Sequence, residues 1–310
     1  LGQSYRNLEV LVVDDCSTDD SEAVVNAIAA TDPRVRFVKR ERNGGAAAAR
    51  NTGIQLARGE LIAFQDSDDE WLVEKLQRQI DQLVGAGDNC ALCVCGYLVH
   101  QPVEHVRGYY LGGVHMTYPD DLRRQALLNF YFPTPSWLAR TMVLREAGGF
   151  DESLACWEDW ELAIRISKRH EIVMIDEPLM VQHVSRGSVN RQDRAYGPAL
   201  ARMLEKHESL WASEPRALAE HLYIVGRHEA RYGSAAQARR YFLRAARLVP
   251  GFRRAWRAWL ATVFGSLGFR AAELWHRLTR REYRVTKSTV VDYVDRTQGS
   301  KLTTRKSAEP

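Results

Sequence analysis

The sequence predicts an α/β fold, with a mainly parallel, Rossmann-like sheet and a C-terminal α-helical extension, on three observations. Short apolar, β-branched runs alternate with helical segments over roughly the first 100 residues. Acidic residues follow directly on the ends of two of those runs, as Asp14-Asp15 and as Asp66-Ser67-Asp68-Asp69. Beyond about residue 190 the pattern is helical. Strand–helix–strand repetition favours a parallel sheet covered by helices on both faces. Ligands of such sheets bind beyond the carboxyl ends of the strands. The two acidic clusters are therefore expected to converge on one edge.

The elements follow in order. Residues 9–13 read as a first strand that stops at Asp14-Asp15. Ser17-Thr18-Asp19-Asp20 offers capping oxygens for a helix to about residue 30, with Val24 and Ile28 on one face. Asp32-Pro33 turns the chain into a strand at 35–38. Asn43-Gly44-Gly45 breaks that strand, and an alanine-rich helix runs to about residue 58, closed by Gly59. Residues 61–64 form a third strand ending at Asp66, and Leu72, Leu76, Ile80 and Leu83 lie at helical spacing after it. Residues 90–99 are a fourth strand. Residues 107–135 are irregular and rich in aromatics and glycine, as in loops that meet an acceptor. Gly148-Gly149-Phe150-Asp151 is a turn, a helix begins near Trp157-Glu158-Asp159 and carries Leu162 and Ile166, and 172–175 is a last strand. Helices at 217–232, 235–248 and 252–264 are separated by Gly233-Ser234 and Pro250-Gly251. The division is thus 1–190 for the sheet domain, 191–285 for the helical extension and 286–310 for a polar, mobile tail.

Bulk properties narrow the class. A chain of 310 residues suits two units. A hydrophobic fraction of 45% and a mean hydropathy of −0.36 suit a soluble globular protein. No stretch reaches the ~18 apolar residues of a spanning helix, and no signal peptide is visible, so a cytoplasmic address is expected. The chain opens at Leu1 in what reads as a turn, and a preceding segment is expected. The five cysteines are odd in number, and Cys90, Cys93 and Cys95 fall in an apolar strand. That pattern reads as buried reduced thiols rather than a disulfide framework or a zinc site.

Three close carboxylates repel one another unless a cation neutralises them. Asp66, Asp68 and Asp69 read either as a divalent-metal site for Mg²⁺ or Mn²⁺ or as a solvated loop that caps the next helix. A calcium loop is excluded, because its glycine and glutamate positions hold Trp71 and Gln77. Glu158 and Asp159 read alone as helix-capping acids.

The motifs in order carry more. Asp14-Asp15 with Ser17-Thr18-Asp19 come first, then Asn43-Gly44-Gly45, then Ala49-Arg50-Asn51-Thr52-Gly53. Gly59 to Trp71 with its Asp66-Ser67-Asp68 follows, then Pro135-Ser136-Trp137, Gly148-Gly149-Phe150-Asp151-Glu152 and Trp157-Glu158-Asp159-Trp160. This series resembles glycosyltransferase family 2, the large inverting family with the GT-A (nucleotide-diphospho-sugar transferase) fold, over about residues 1–190. The resemblance implies sugar transfer from a nucleotide-diphosphate sugar, most commonly a UDP-sugar, to a hydroxyl acceptor in polysaccharide or glycolipid synthesis. It implies that Asp15 bonds the nucleotide base, that Asp66 and Asp68 form the Asp-x-Asp motif for Mn²⁺ or Mg²⁺, and that Asp159 is the catalytic base. Asp159 at a helix start should be ionised at neutral pH, since the helix dipole favours a negative group there by about 0.3–1 kcal/mol. Asn43 and Arg50 are candidate contacts to the nucleotide or its phosphates. His183 stands where the family often has an arginine and Ser185 where it has a histidine, so His183 or Arg186 is a candidate diphosphate contact. The family's opening apolar strand, one wall of the nucleoside pocket, has no counterpart in this sequence. A non-catalytic nucleotide-sugar-binding or scaffold protein is the alternative reading.

Residues 235–259 resemble a tetratricopeptide-type helical hairpin. Between Ala230 and Ala272 there are nine arginines and no acidic residue. Docking of these helices on the first domain is one reading. The other is peripheral contact with the inner membrane face through Arg253, Arg254, Trp256, Arg257, Trp259, Phe264 and Phe269. No nucleic-acid recognition motif is present.

Overall fold

The computed structural model describes residues 1–103, 106–112, 132–183, 193–265 and 268, with the short pairs 291–292 and 303–304. Two compact units emerge. The first holds Leu1–Ser153 and Glu158–Ser188, and the second Leu154–Trp157 and Val189–Thr286.

In the first unit, β1 (Val10–Asp14) and β2 (Val35–Lys39) pair in parallel as a two-stranded sheet, with α1 (Ser21–Ala29) between them in sequence. Asp19 accepts the Ser21 N–H at 3.0 Å at the start of α1. Val24 and Ile28 do share a face, but they are 50% and 41% exposed, and α1 buries no residue. The second helix, α2 (Gly45–Leu56), ends before Gly59. Its last carbonyls are held instead by the Arg145 guanidinium, which donates to Ile54 and Ala57 at 2.9 and 2.7 Å. A side-chain donor thus does the work expected of a glycine cap.

The main sheet has six strands. Its order is β3 (Leu61–Ala63), β7 (Trp137–Arg140), β5 (Cys90–Val103), β8 (Glu171–His183) and β4 (Glu70–Trp71), with β6 (Val106–Gly112) as a hairpin partner of β5. Parallel pairing runs along β1–β2 and β5–β8, and β5–β8 is the longest register among the described residues. The short strands β3, β4, β6 and β7 join antiparallel. Two-residue β4 and four-residue β7 are too short to show a period in the sequence.

Strand β5 sits centrally between β7 and β8, so Cys90 to Cys95 are fully buried. The three cysteines are free thiols, and burial pushes Cys93 up to about 12, the behaviour of an inert core residue. Helix α3 (Lys75–Gly85) covers this region with Leu76 and Leu83, while Leu72 precedes the helix and bonds through its N–H to Leu179. Lys75 is buried above the Trp71 ring, 4.1 Å from its centroid, and donates to Gln79 at 2.7 Å. Burial lowers its ammonium to about 8. Among the described residues no helix is long and apolar enough to cross a membrane.

The second unit is helical. It contains α6 (Asp193–Lys206), α7 (Glu208–Trp211), α8 (Pro215–Tyr232), α9 (Ala235–Leu248) and α10 (Arg253–Ala261); α4 (Thr141–Glu146) and α5 (Glu158–Ser167) belong to the first unit. Ser234 caps α9 by accepting the Ala236 N–H. Ala238, Phe242 and Ala245 form the buried face read from the sequence, and Val249 is half-buried beside it. Phe242 packs where Gly226 of α8 leaves room, for a Cβ there would stand 2.7 Å from the ring. Residues 113–131, together with Ser185, Arg186, Phe269 and most of the tail, lie outside the described residues.

Candidate functional site

Three clusters of side chains lie at the strand ends of the first unit. The first is built on Asp15, the residue after β1. Its carboxylate accepts the N–H groups of Gly44 (3.0 Å) and Gly45 (2.6 Å), where α2 begins, and pairs with Arg40. Asn43 donates to the Asp15 carbonyl at 2.9 Å. Burial works to raise the Asp15 carboxyl, but the two glycine amides and Arg40 outweigh it and hold it below the usual range. Gly45 is left-handed at φ +81, and a Cβ on Gly44 would lie 2.8 Å from the Arg40 guanidinium. The turn therefore requires glycine at 45, while at 44 a side chain would also crowd the Ala48 Cβ at 2.9 Å.

The second cluster joins the strand end to the helix start. Arg50 of α2 donates to Asp66 at 2.8 Å and to Glu158 at 2.9 Å, and its guanidinium lies 5.6 Å from the Phe150 ring centroid. Burial works against its charge, but Asp66, Glu158 and Asp159 raise its pKa. Asp159, adjacent to Glu158, accepts the Trp160 N–H at 2.7 Å. Burial first, then Glu158, push the Asp159 carboxyl up to about 7, against the Trp160 amide and Arg50. The expectation that the helix start alone keeps Asp159 fully ionised at neutral pH is therefore not met. Desolvation and a neighbouring negative charge exceed the dipole.

Two residues hold this cluster together: Asn51, part of the Ala49–Gly53 motif but given no role there, and Arg165, which no sequence motif singles out. Asn51, next to Arg50, donates to the Phe150 carbonyl at 2.9 Å and accepts the Phe150 N–H at 2.7 Å. Arg165 of α5 pairs with Glu161 and donates to the carbonyls of Ala147 and Gly149. The Gly148–Phe150 turn is thus clamped by α2 from one side and α5 from the other, which is why Arg50 meets Glu158. Gly148 and Gly149 are both left-handed, at φ 80 and 69. A Cβ on Gly149 would collide with Asn51 Oδ1, whereas one on Gly148 would meet nothing within 4 Å. Gly149→Ala should lower stability by more than the about 1–3 kcal/mol of left-handed strain alone, and Gly148→Ala by that strain only. Urea denaturation midpoints of the two variants check the difference.

The third cluster is the acidic loop after β3. Gln65 bridges it internally, donating to the Asp66 and Asp69 carbonyls at 3.1 and 2.6 Å. Pairing of β4 with β8 brings Asp69 to the end of β8, where it accepts the His183 N–H at 3.0 Å. His183 lies opposite His100 in the β5–β8 register, with the two Nδ1 atoms 2.9 Å apart, and its Nε2 is 3.4 Å from Glu70. Burial, then Asp66 and Asp68, raise the Asp69 carboxyl to about 7. Asp68 is exposed. Surplus negative charge at the end of a strand fits a divalent cation bound partly through substrate oxygens. Among the described residues no three side chains alone form a metal cage.

Among the described residues only two non-glycine residues have positive φ, and they border the candidate carboxylates: Cys16 (φ 69) follows Asp15, and Trp157 (φ 66) lies two before Asp159. Left-handed backbone at such residues is uncommon and concentrates at functional sites.

The first unit, an α/β sheet with acidic groups at its strand ends, has the GT-A fold. The solved structure of Staphylococcus aureus TarS 1–349 shares this fold, with a TM-score of 0.53 at 18% identity over the whole chain and 91% of that chain. Another structure of the same fragment is a complex with UDP. Residues 1–146 match the family model described as Glycosyl transferase family 2. The amylovoran biosynthesis glycosyltransferase AmsB of Erwinia amylovora is 30% identical over 194 residues, which cover 59% of the chain and 62% of AmsB. WfaP of Escherichia coli, a UDP-Glc:α-D-GlcNAc-diphosphoundecaprenol β-1,3-glucosyltransferase, is 44% identical over 80 residues, 26% of the chain and 31% of WfaP. The chain thus matches less than two thirds of the length of either relative.

Proposed function

We propose that the chain transfers a sugar, with inversion, from a UDP-sugar to a hydroxyl of a glycan or glycolipid in polysaccharide synthesis. The observation that carries this reading is the Arg50 bridge, which ties Asp66 at the end of β3 to Glu158, the neighbour of Asp159. A donor-side carboxylate and a carboxylate poised near neutral pH thereby share one charge cluster. The relatives' names support the donor and acceptor classes: UDP in TarS, UDP-glucose and a lipid-linked sugar in WfaP.

In this reading Asp159 accepts the proton of the acceptor hydroxyl as its oxygen attacks the anomeric carbon. The bond from that carbon to the diphosphate oxygen breaks on the opposite side, so the configuration inverts. A base with a pKa near the working pH is suited to this task. Asp66 and Asp68 would hold Mn²⁺ or Mg²⁺. That cation would offset charge on the departing diphosphate. Asp15 and Asn43 form the nucleoside end, where the α2 start presents its amides. Both charged ends of Arg50 already face carboxylates, so its assigned task is to place Asp66 and Glu158. His183 is assigned to the diphosphate side, next to Asp69.

Thermal melting with UDP, GDP and dTDP, each with and without Mn²⁺, tests the reading. At about 100 times its dissociation constant a ligand adds about 2.7 kcal/mol. The expected result is a Mn²⁺-dependent rise with UDP that Asp68→Ala abolishes. A rise with GDP or dTDP alone would reassign the donor, and no rise with any nucleotide would sink the reading.

A further inference from the structure

Helix α10 of the second unit has two apolar faces. The inner one is made of Ala255 and Ala258, both buried, with Ala258 in a cluster with Ala230, Ala238 and Phe242. Trp256 and Leu260 lie one turn apart on the other side, and Val263 continues their line in the short 3₁₀ turn that follows. These three are 38%, 59% and 51% exposed. At about 100° per residue Trp256 and Leu260 lie roughly 100–160° round the helix from Ala255 and Ala258, away from the buried side. The Trp256 indole N–H is already satisfied by the Pro250 carbonyl at 3.1 Å.

The outer face of α10 is also cationic. Arg253 and Arg257, one turn apart and exposed, border the stripe. Arg240, Arg244 and Arg247 of α9 are exposed as well, and the segment from Ala230 to Ala272 contains no acidic residue. Two nearby ion pairs, Arg244–Glu208 and the 3.8 Å Arg254–Glu220 pair, leave Arg253 and Arg257 outside them. Single exposed apolar side chains are ordinary. An aromatic–aliphatic line at i, i+4 and i+7 flanked by arginines is the pattern of a helix lying in a lipid interface. A polyanion such as nucleic acid would satisfy the arginines but leave Leu260 and Val263 in water.

We propose that the outer face of α10 seats the protein on an anionic lipid surface, with Trp256, Leu260 and Val263 among the acyl chains and Arg253 and Arg257 at the phosphates. This assignment stands independently of the catalytic reading.

Co-sedimentation of the full chain with phosphatidylglycerol-containing vesicles, against pure phosphatidylcholine vesicles, tests it. Binding is expected only to the anionic vesicles and should weaken with salt. The double change Arg253→Gln with Arg257→Gln should weaken it about thirtyfold, since each interfacial cation contributes about 1 kcal/mol. Trp256→Ser with Leu260→Ser should reduce it at least as much. The arginine double should keep the wild-type circular dichroism melt, because its side chains are exposed. The apolar double also loses the Trp256–Pro250 bond, so Leu260→Ser alone, which should weaken binding with an unchanged melt, accompanies it. Four outcomes overturn the proposal: no pelleting with anionic vesicles, equal pelleting with both lipids, binding that survives both doubles, or a concentration-dependent self-association that Trp256→Ser with Leu260→Ser alone removes in place of lipid binding.

Discussion

Asp159→Asn is expected to lower the transfer rate about 10²–10⁴-fold while leaving the nucleotide-induced rise in melting temperature intact. The amide keeps the shape of the carboxylate but accepts no proton. In the wild type, burial and Glu158 raise the Asp159 carboxyl to about 7, so the rate should fall as pH drops below about 7. That acidic limb should vanish in the variant. Stability should move the other way. The folded-state pKa lies above the ordinary carboxylate value of about 3.9, so the folded protein holds this proton more tightly than the unfolded chain. The group's contribution to stability is therefore full below about pH 4 and is lost as pH rises through about 7. At about pH 8 the wild type carries a desolvated charge that the amide side chain lacks. The variant should then melt higher than the wild type, and the gap should close toward acid pH. Rates and melting curves across this range check both halves. A variant that retained wild-type turnover would remove Asp159 from the mechanism.

The part of this site legible in the sequence was the part that rests on short-range patterns. Residues that end strands or start helices within a few positions of glycine and acid clusters stood out: Asp15, Asn43-Gly44-Gly45, Asp66, Asp68 and Asp159. Helix α9 was read to the residue, because a serine cap, an alanine-rich face and Pro250 bound it. What the sequence could not show was pairing across distance. Strands β4 and β7 carry no period, and their antiparallel places are set by β8, β5 and β3. Arg50 and Glu158 lie 108 positions apart, and nothing local says that they meet. Asn51 and Arg165 had one available signal, a glycine pair that must turn sharply and whose amides and carbonyls need partners. The exposure of Val24 and Ile28 was hidden for the opposite reason: helical spacing says which residues share a face, not whether another element covers it.

Arg50→Ala should cost about 3–5 kcal/mol of stability at about pH 8. Removing the guanidinium leaves Asp66, Glu158 and Asp159 with no cation between them, and a carboxylate stranded in a partly buried site loses more than the pair was worth. The cost should shrink as pH falls and the carboxyls take up protons. Arg50 also works to lower the Asp159 carboxyl. Its loss should therefore shift the acidic limb of the rate to higher pH, so that the variant is less active at neutral pH than at about pH 9. Arg50→Lys separates two roles. An ammonium is a point charge that cannot span two carboxylates as a planar fork does. If Arg50 places Asp66 and Glu158, lysine should recover part of the stability but little of the rate, and the limb should stay displaced. If Arg50 instead serves the nucleotide phosphates, lysine should change nucleotide affinity and leave the limb at its wild-type position. Urea midpoints, rate–pH profiles and UDP titrations of the two variants distinguish these cases, because only the placing role couples the arginine to the protonation of a base on another helix.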